Sequence, residues 1–210
     1  NIIVDPVPYV GAVASTTATA GGLDREDDES LRERIRMAPG HFSVAGPSGA
    51  YRYLAMSADA AIGDVSVTSP APKEVLVTVL MRDGSQPGEA VLAKVSEMLS
   101  ADTRRPLSDK VTVQGPDPHP YTVTASYYIS REDSTDEERI KTAVEAAYGA
   151  YLAWQGAKLG RAVNPDELRR RLLVAGAYRV EVTAPAYAAV DEVKVAAASA
   201  GSALTYGGLM

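Results

Sequence analysis

Three prolines within five residues, Pro116-Asp117-Pro118-His119-Pro120, divide the chain near its middle. Proline has no backbone N–H to donate, and its ring clashes with the preceding helical turn, so the segment cannot be a helix or a central strand. We interpret it as a stiff boundary between two subdomains. At 210 residues the chain is long enough to form a small core on each side of this boundary.

The first half of the chain predicts three helices and three strands. Apolar residues at helical spacing mark its helices, proline suits the first helical position, and runs of β-branched residues mark its strands. In chain order the predicted elements are a helix at 27–37, a helix from Gly46-Pro47 carrying Tyr51, Leu54, Ala55 and Ala58, a hairpin of strands at 65–67 and 75–81 joined by a turn at 69–72, a helix from Pro87, and a strand at 111–113.

The second half repeats this theme. Residues 121–129 alternate strictly between an apolar set and a set containing Thr122, Thr124, Ser126 and Tyr128, which predicts a half-buried strand with a tyrosine on its outer face. The further predicted elements are a helix opened by the capping box Thr135-Asp136-Glu137-Glu138 and carrying Ile140, Val144, Tyr148 and Tyr151, a helix opened by Asn164-Pro165, carrying Leu168, Leu172 and Leu173 and closed by Gly176, a strand with Tyr178, Val180 and Val182, and a strand at 190–195.

These elements predict an α+β fold made of two small α+β subdomains in series, each a mixed sheet with helices packed on it. The segment Ile2 to Val13 is β-prone, and we interpret it as part of a sheet that belongs to a missing N-terminal module. The tail after Val195 consists of small and aliphatic residues and has little reason to fold alone. The predicted organisation is an extended segment with a glycine-rich linker at 1–22, subdomains at 23–115 and 116–195, and a tail at 196–210.

A glycine pair, an acidic stretch and three arginines follow one another at 21–36. Acids favour the N-terminal end of a helix and cations its C-terminal end, so the run predicts a helix preceded by a hinge. The acids do not match a calcium loop, because the alternating ligands, central glycine and distant glutamate of an EF-hand are absent.

The same run resembles the baseplate J-like family of contractile phage tails and related injection machines. The resemblance continues through the segments 62–70, 75–84 and 105–113, and it is carried by the order and spacing of short motifs over about half of the chain. The motif residues are Gly21, Gly22, Asp24, Glu26, Asp28, Arg32, Arg34, Ile35, Gly46, Pro47, Tyr51, Pro106, Leu107 and Asp109.

This resemblance implies a structural component of a contractile-tail baseplate, a wedge or inner-ring protein that assembles with further copies of itself and with other baseplate proteins. It implies a location in the virion tail baseplate, with assembly in the bacterial host cytoplasm. It also implies that the protein is not an enzyme and that another module precedes Asn1.

The residues themselves offer little for catalysis or cofactor binding. Cysteine is absent, which removes thiolate chemistry, and His41 and His119 stand alone in loops rich in proline or glycine. The turn at Gly46-Pro47-Ser48-Gly49 lacks the lysine of a phosphate-binding loop, and the serines lack the flanking glycines of a hydrolase elbow. We therefore expect no metal, no cofactor and no small-molecule substrate.

Charge and hydropathy exclude two further classes of partner. The net charge of −6 argues against a specific nucleic-acid partner, and no segment has the eighteen or so uninterrupted apolar residues that a membrane helix needs. The arginines at 169–171 would spread around a helix, so a solvated or protein-contacting surface is the default for them.

Tyrosine is abundant, with 11 residues against one phenylalanine and one tryptophan. Tyrosine combines apolar area with a polar tip and suits both core rims and partner surfaces, so both interpretations stay open. Tyr128 is the candidate partner contact, because it points away from the apolar face of its strand. The alternative function is a non-catalytic module that binds carbohydrate or peptide, although Trp154 alone provides little stacking surface.

Overall fold

The computed structural model describes residues 28–37, 48–100 and 110–210. The chain is α+β and folds as two small subdomains in series, as the sequence predicts. The elements of the first are α1 (Asp28–Met37), α2 (Ser48–Ala58), β1 (Ile62–Thr68), β2 (Glu74–Met81), α3 (Glu89–Ser100) and β3 (Lys110–Gln114). Those of the second are β4 (Asp117–Tyr121), β5 (Thr124–Ile129), a 3-10 helix (Arg131–Asp136), α4 (Glu137–Gly156), α5 (Pro165–Val174), β6 (Arg179–Ala184), β7 (Lys194–Ala198) and β8 (Ala203–Leu209).

The first subdomain is a mixed sheet of order β1-β2-β3 covered by α2 and α3. β1 and β2 form the predicted antiparallel hairpin, and β3 pairs with β2 in parallel after the α3 crossover. The core contains Val77, Val79 and Val95, each 0% exposed, and Tyr51, which is 2% exposed on α2. Burial of these side chains against one sheet face is the main source of stability in this subdomain.

The second subdomain has two sheets, a two-stranded β4-β7 pair and a three-stranded sheet of order β6-β5-β8. The predicted alternation at 121–129 is confirmed, because the apolar set of this segment is buried while its polar set is not. α4 packs on this core through Ile140, Val144 and Tyr151, and α5 through Leu168 and Leu172.

The proline-rich segment is a strand rather than a connector, which corrects the sequence prediction. β4 runs through it and pairs in parallel with β7, with Pro118 opposite Val195 and Pro120 opposite Ala197. The prolines occupy alternate positions of a strand that has one described neighbour, where a missing amide is tolerated.

The expectation that the residues after Val195 form a tail without structure of its own is also wrong. The strand predicted at 190–195 lies at Lys194–Ala198, and the following residues form β8, which pairs in parallel with β5. Tyr206 of β8 packs against Tyr127 with the ring centroids 5.3 Å apart. Small residues are sufficient for β8 because its stability comes from pairing and from this aromatic contact.

The two predicted helix starts differ in outcome. The Asn164 side chain caps α5 by accepting a hydrogen bond from the Asp166 amide at 3.0 Å, which confirms that start. The capping box at 135–138 is wrong: α4 is preceded by the 3-10 helix, and its N-cap residue Asp136 makes no side-chain capping bond. The cap lies earlier, where Ser130 Oγ accepts from the Glu132 amide at 3.3 Å. The Asp133 amide also donates to the Ser130 carbonyl oxygen at 3.0 Å, as in the first turn of a 3-10 helix.

Candidate protein interface

The junction between the two subdomains centres on Asp64 of β1, which is 7% exposed. Its Oδ1 accepts hydrogen bonds from Arg52 Nη2 and the Val65 amide, both at 3.0 Å. Its Oδ2 accepts a hydrogen bond from the Leu159 amide of the second subdomain at 3.1 Å. Burying a polar group costs free energy unless it is hydrogen-bonded, and here one of the hydrogen-bond partners comes from the other subdomain.

Apolar contacts lie beside this hydrogen bond. Leu80 of β2 forms a separate buried cluster with Leu159 and Val195, at 0%, 7% and 6% exposure. The loop after β2 also approaches the end of α4, since a Cβ atom on Gly84 would lie 3.1 Å from the Gly156 carbonyl oxygen. The two subdomains therefore share a small core of their own.

The role of Asp64 is not predicted from the sequence, although the sequence contains a signal for it. The acid stands within a β-prone segment between Ile62 and Val65, both of which are buried. Its neighbour Gly63 is needed for close approach, because a Cβ atom there would lie 2.5 Å from the Cα of Arg82. A carboxylate inside an otherwise apolar strand indicates a specific partner, although it does not reveal which one.

A cleft of about 380 Å³ opens beside the junction. Its walls come from the start of α2, from β1, from the segment after α4 and from Glu192 before β7. They carry both signs of charge, with Arg52 and Lys158 as cations and Asp64 and Glu192 as acids. The carboxylate of Asp64 already pairs with Arg52, so the cleft presents no uniform charge to a ligand.

The outer end of the second subdomain carries apolar side chains that its core does not cover. Val174 is 78% exposed, Tyr178 is 64% exposed, and Leu209 and Met210 are 37% and 45% exposed. Leu173, which the sequence predicts on α5, is 41% exposed, because it lies about 100° around the helix from the buried Leu172. We call Val174, Tyr178, Leu209 and Met210 the sheet-end patch.

A second exposed apolar stripe lies on α1. Leu31 is 37% exposed and Ile35 is 62% exposed, although α1 contacts α2. The motif residues Asp28, Arg32, Arg34 and Ile35 all belong to this helix, and all four are exposed. Leu31 and Ile35 are four residues apart and therefore lie on one face of the helix.

The remaining motif residues fall into two groups. Tyr51 belongs to the core of the first subdomain. Outside the described residues lie Gly21, Gly22, Asp24, Glu26, Gly46, Pro47, Pro106, Leu107, Asp109 and also His41.

Tyr128 lies on the outer face of β5, as predicted, and its own chain partly covers it. The ring packs over β8, where a Cβ atom on Gly207 would lie 2.4 Å from Tyr128 Cε1. Arg179 lies over the other side of the ring at 5.9 Å from the centroid, and the hydroxyl is 3.5 Å from Glu181 Oε2. Its role as a partner contact remains a prediction.

The arginines of α5 are neutralised within the helix. Arg169 pairs with Asp166, and both Arg170 and Arg171 pair with Glu167 at 2.8 and 2.7 Å. Hydrogen bonds from Arg170, with those from Arg171, hold the pKa of Glu167 at about 2, well below its ordinary value of 4.5. These residues form a helical ion-pair network and leave no bare cationic stripe on this part of α5.

Trp154 is covered by two cations of the second subdomain. The Arg161 guanidinium lies 3.9 Å and the Arg171 guanidinium 4.8 Å from the ring centroid. The Arg161 side chain also donates a hydrogen bond to the Trp154 carbonyl oxygen. A ring held in this way does not present the open stacking platform that the carbohydrate-binding alternative requires.

The described part of the chain contains no group of three histidine, aspartate or glutamate side chains that could hold a metal ion. His119 lies on β4, opposite Ala196 of β7.

Burial raises the pKa of Tyr151 to about 12, so its hydroxyl stays protonated at neutral pH. In the described part of the chain, no helix is long and apolar enough to cross a membrane.

The fold defines a two-subdomain α+β module whose parts share a buried junction and whose ends carry exposed apolar surfaces. Residues 43–115 match the baseplate J-like central domain, and residues 121–200 match the baseplate J-like protein C-terminal domain. The chain belongs to the baseplate J-like family, which confirms the resemblance found in the sequence.

Two individual proteins illustrate this similarity. The chain is 37% identical over 161 residues to baseplate protein J of Escherichia phage P2, a match that covers 76% of this chain and 52% of the relative. The chain thus spans about half the length of this curated relative. It also resembles a chain in the cryo-EM structure of the anti-feeding prophage baseplate, 6-fold symmetrised, with a TM-score of 0.53, 16% identity, and coverage of 85% of this chain and 43% of that one. At this identity the second similarity concerns the fold alone.

Proposed function

We propose that this chain is part of a structural component of a contractile-tail baseplate, a wedge or inner-ring protein that assembles with further copies of itself and with other baseplate proteins. One observation carries the proposal: the two family domains occur in order, one per subdomain, at 43–115 and 121–200. The similarity to a phage baseplate protein J supports the same role.

The architecture suits a load-bearing part. The buried Asp64 carboxylate and the apolar cluster of Leu80, Leu159 and Val195 join the subdomains, so force applied to one is transmitted to the other. The covered Trp154 and the neutralised arginines of α5 fit such a role better than they fit a carbohydrate- or nucleic-acid-binding surface.

The finer parts of the proposal concern chemistry and location. We infer that the protein is not an enzyme, that it requires no cofactor, and that it functions without nucleic-acid specificity or membrane insertion. We further infer that it assembles in the host cytoplasm and resides in the virion tail baseplate.

Co-purification tests the proposal. The tagged protein, expressed with candidate wedge proteins, should recover a complex of defined mass, whereas this 210-residue chain alone should sediment as a monomer or weak oligomer at micromolar concentration. A discrete ring formed by the chain alone would contradict the need for other wedge proteins. Recovery of no wedge protein, together with absence of the protein from purified tails, would refute the baseplate role.

A further inference from the structure

We propose that α1 of one copy docks on the sheet-end patch of a second copy, so that copies join head to tail. This inference rests on the proposed function, because it names the surfaces through which copies of the chain would assemble. The occupant is the helix carrying Leu31 and Ile35, and the acceptor is the patch of Val174, Tyr178, Leu209 and Met210.

Backbone hydrogen bonds place the patch residues at one end of the β6-β5-β8 sheet. The Tyr178 amide donates to the Tyr128 carbonyl oxygen, and the Met210 amide donates to the Ile129 carbonyl oxygen, both at 2.9 Å. Tyr178 and Met210 therefore flank the end of β5 from opposite sides. Arg179 connects them, since its Nη1 lies 3.9 Å from Met210 Sδ, and Val174 precedes Tyr178 by the short turn at Gly176.

The dimensions of α1 match this patch. Two strand spacings separate the β8 side from the β6 side, which is about 10 Å. On α1 the distance from Asp28 to Ile35 is seven residues, also about 10 Å at the helical rise. A helix laid across the strand ends can thus place its first turn beside Met210 and Ile35 beside Tyr178 and Val174.

Charge sets the direction of the helix. Arg131 adjoins Met210, whose carbonyl oxygen accepts from the Arg131 amide at 3.0 Å, and the Arg131 side chain makes no ion pair within the described residues. Asp28 opens α1, and the sequence just before it is acidic. In this orientation the acidic start of α1 lies beside Arg131, and the apolar side chains of α1 cover the patch.

The two surfaces of one copy are too far apart to meet. Gly176, next to the patch, packs against Ile140 near the start of α4, whereas Gly156 at the end of α4 adjoins Gly84 of the first subdomain. Sixteen residues of helix separate Ile140 from Gly156, about 24 Å. Since α1 contacts α2 of the first subdomain, its stripe can cover the patch only in another copy. Such a heterologous contact closes into a ring or continues as a filament.

Disulfide trapping tests this contact, and the absence of cysteine makes the test clean. Ile35→Cys chain is mixed with Val174→Cys chain under mild oxidation, and covalent heterodimer is measured on a non-reducing gel. The matched control pairs Ile35→Cys with Tyr187→Cys, which is 67% exposed and lies outside the patch. We expect about tenfold more heterodimer from the first pair, because docking raises the effective concentration of the two thiols.

A charge swap checks the orientation. Arg131→Glu should lower the trapping yield, and Asp28→Lys in the partner chain should restore it. Equal yields for the two cysteine pairs, or faster trapping of Val174→Cys with itself, would overturn the proposal. If trapping fails while the protein still co-purifies with wedge proteins, the docking surfaces are wrong and the baseplate role stands.

Discussion

The Leu159 amide donates a hydrogen bond to Asp64 Oδ2 at 3.1 Å, so a carboxylate of the first subdomain satisfies a backbone group of the second. The same carboxylate also accepts a hydrogen bond from Arg52, so its position at the β1 side of the junction is restricted. Because a buried charge that loses its partners is costly, the two subdomains stabilise each other through this residue.

Asp64→Asn should lower the free energy of unfolding by about 2 kcal/mol, because the amide group loses the ion pair and cannot accept at both positions. Denaturation followed by Trp154 fluorescence, which reports on the second subdomain, should then separate from the far-UV circular dichroism transition. Asp59→Asn is the control, since its pair with Lys94 is exposed and lies within one subdomain. Coincident transitions and an equal loss in both variants would show that Asp64 does not couple the subdomains.

Asn164→Ala should destabilise the second subdomain by about 1 kcal/mol, because the Asp166 amide loses its capping acceptor. Thr135→Ala provides the comparison, since the structure places the cap of that region at Ser130 instead. It should change stability by less than about 0.5 kcal/mol. Thermal melts of both variants decide the matter, and equal losses would mean that the Asn164 cap contributes nothing specific.

Glu167→Gln should lower stability by about 1 kcal/mol at pH 7, because the side chain accepts bonds from both Arg170 and Arg171. The pKa of Glu167 falls from its ordinary 4.5 to about 2 on folding, so its contribution is fully present above pH 4.5 and disappears as the pH falls toward 2. Urea titrations at pH 7 and pH 3 should show the difference between wild type and variant shrinking. A difference that is independent of pH would contradict the assignment.

Gly207→Ala should destabilise the β5-β8 pairing by about 1 to 3 kcal/mol, because the added Cβ atom would lie 2.4 Å from the Tyr128 ring. Gly201→Ala has open space around its Cβ position and serves as the neutral comparison. Combining Gly207→Ala with Tyr128→Ala should remove most of the clash, which a double-mutant cycle would show as coupling of about 1 kcal/mol. If the losses of the two single variants simply add, Tyr128 is not the residue that the added Cβ atom clashes with.

The sequence correctly predicts those elements whose evidence lies in residues close to one another in the chain. The alternation at 121–129 and the Asn164 cap depend on residues close in sequence, and both predictions are confirmed. β4 and β8 were missed because their evidence is not local. A segment with two prolines and a run of small residues become strands only when β7 and β5 lie beside them. Local strand propensity is therefore a poor guide where a strand forms through long-range pairing.

Contacts between distant parts of the chain also explain why some buried and exposed positions were not predicted. The helical spacing of α5 correctly places Leu168 and Leu172 in the core, whereas Leu173, one residue further around the helix, is exposed. Asp64 was visible as an acid within a strand, whereas its partner is the backbone amide of Leu159, which no side-chain pattern reveals. The sheet-end patch likewise brings together the end of α5, the start of β6 and the end of β8, of which β8 is distant in the sequence from the other two.

Both parallel pairings of the second subdomain join its beginning to its end. β4 and β5 are synthesised first, yet their partners β7 and β8 follow only at 194–198 and 203–209. While the ribosome adds residues 130–202, β5 can pair with β6 but has no β8 beside it. We therefore expect this subdomain to complete its folding late in translation and in one cooperative step. The entropy cost of closing the long loop between β5 and β8 must be met before their contacts can stabilise the fold.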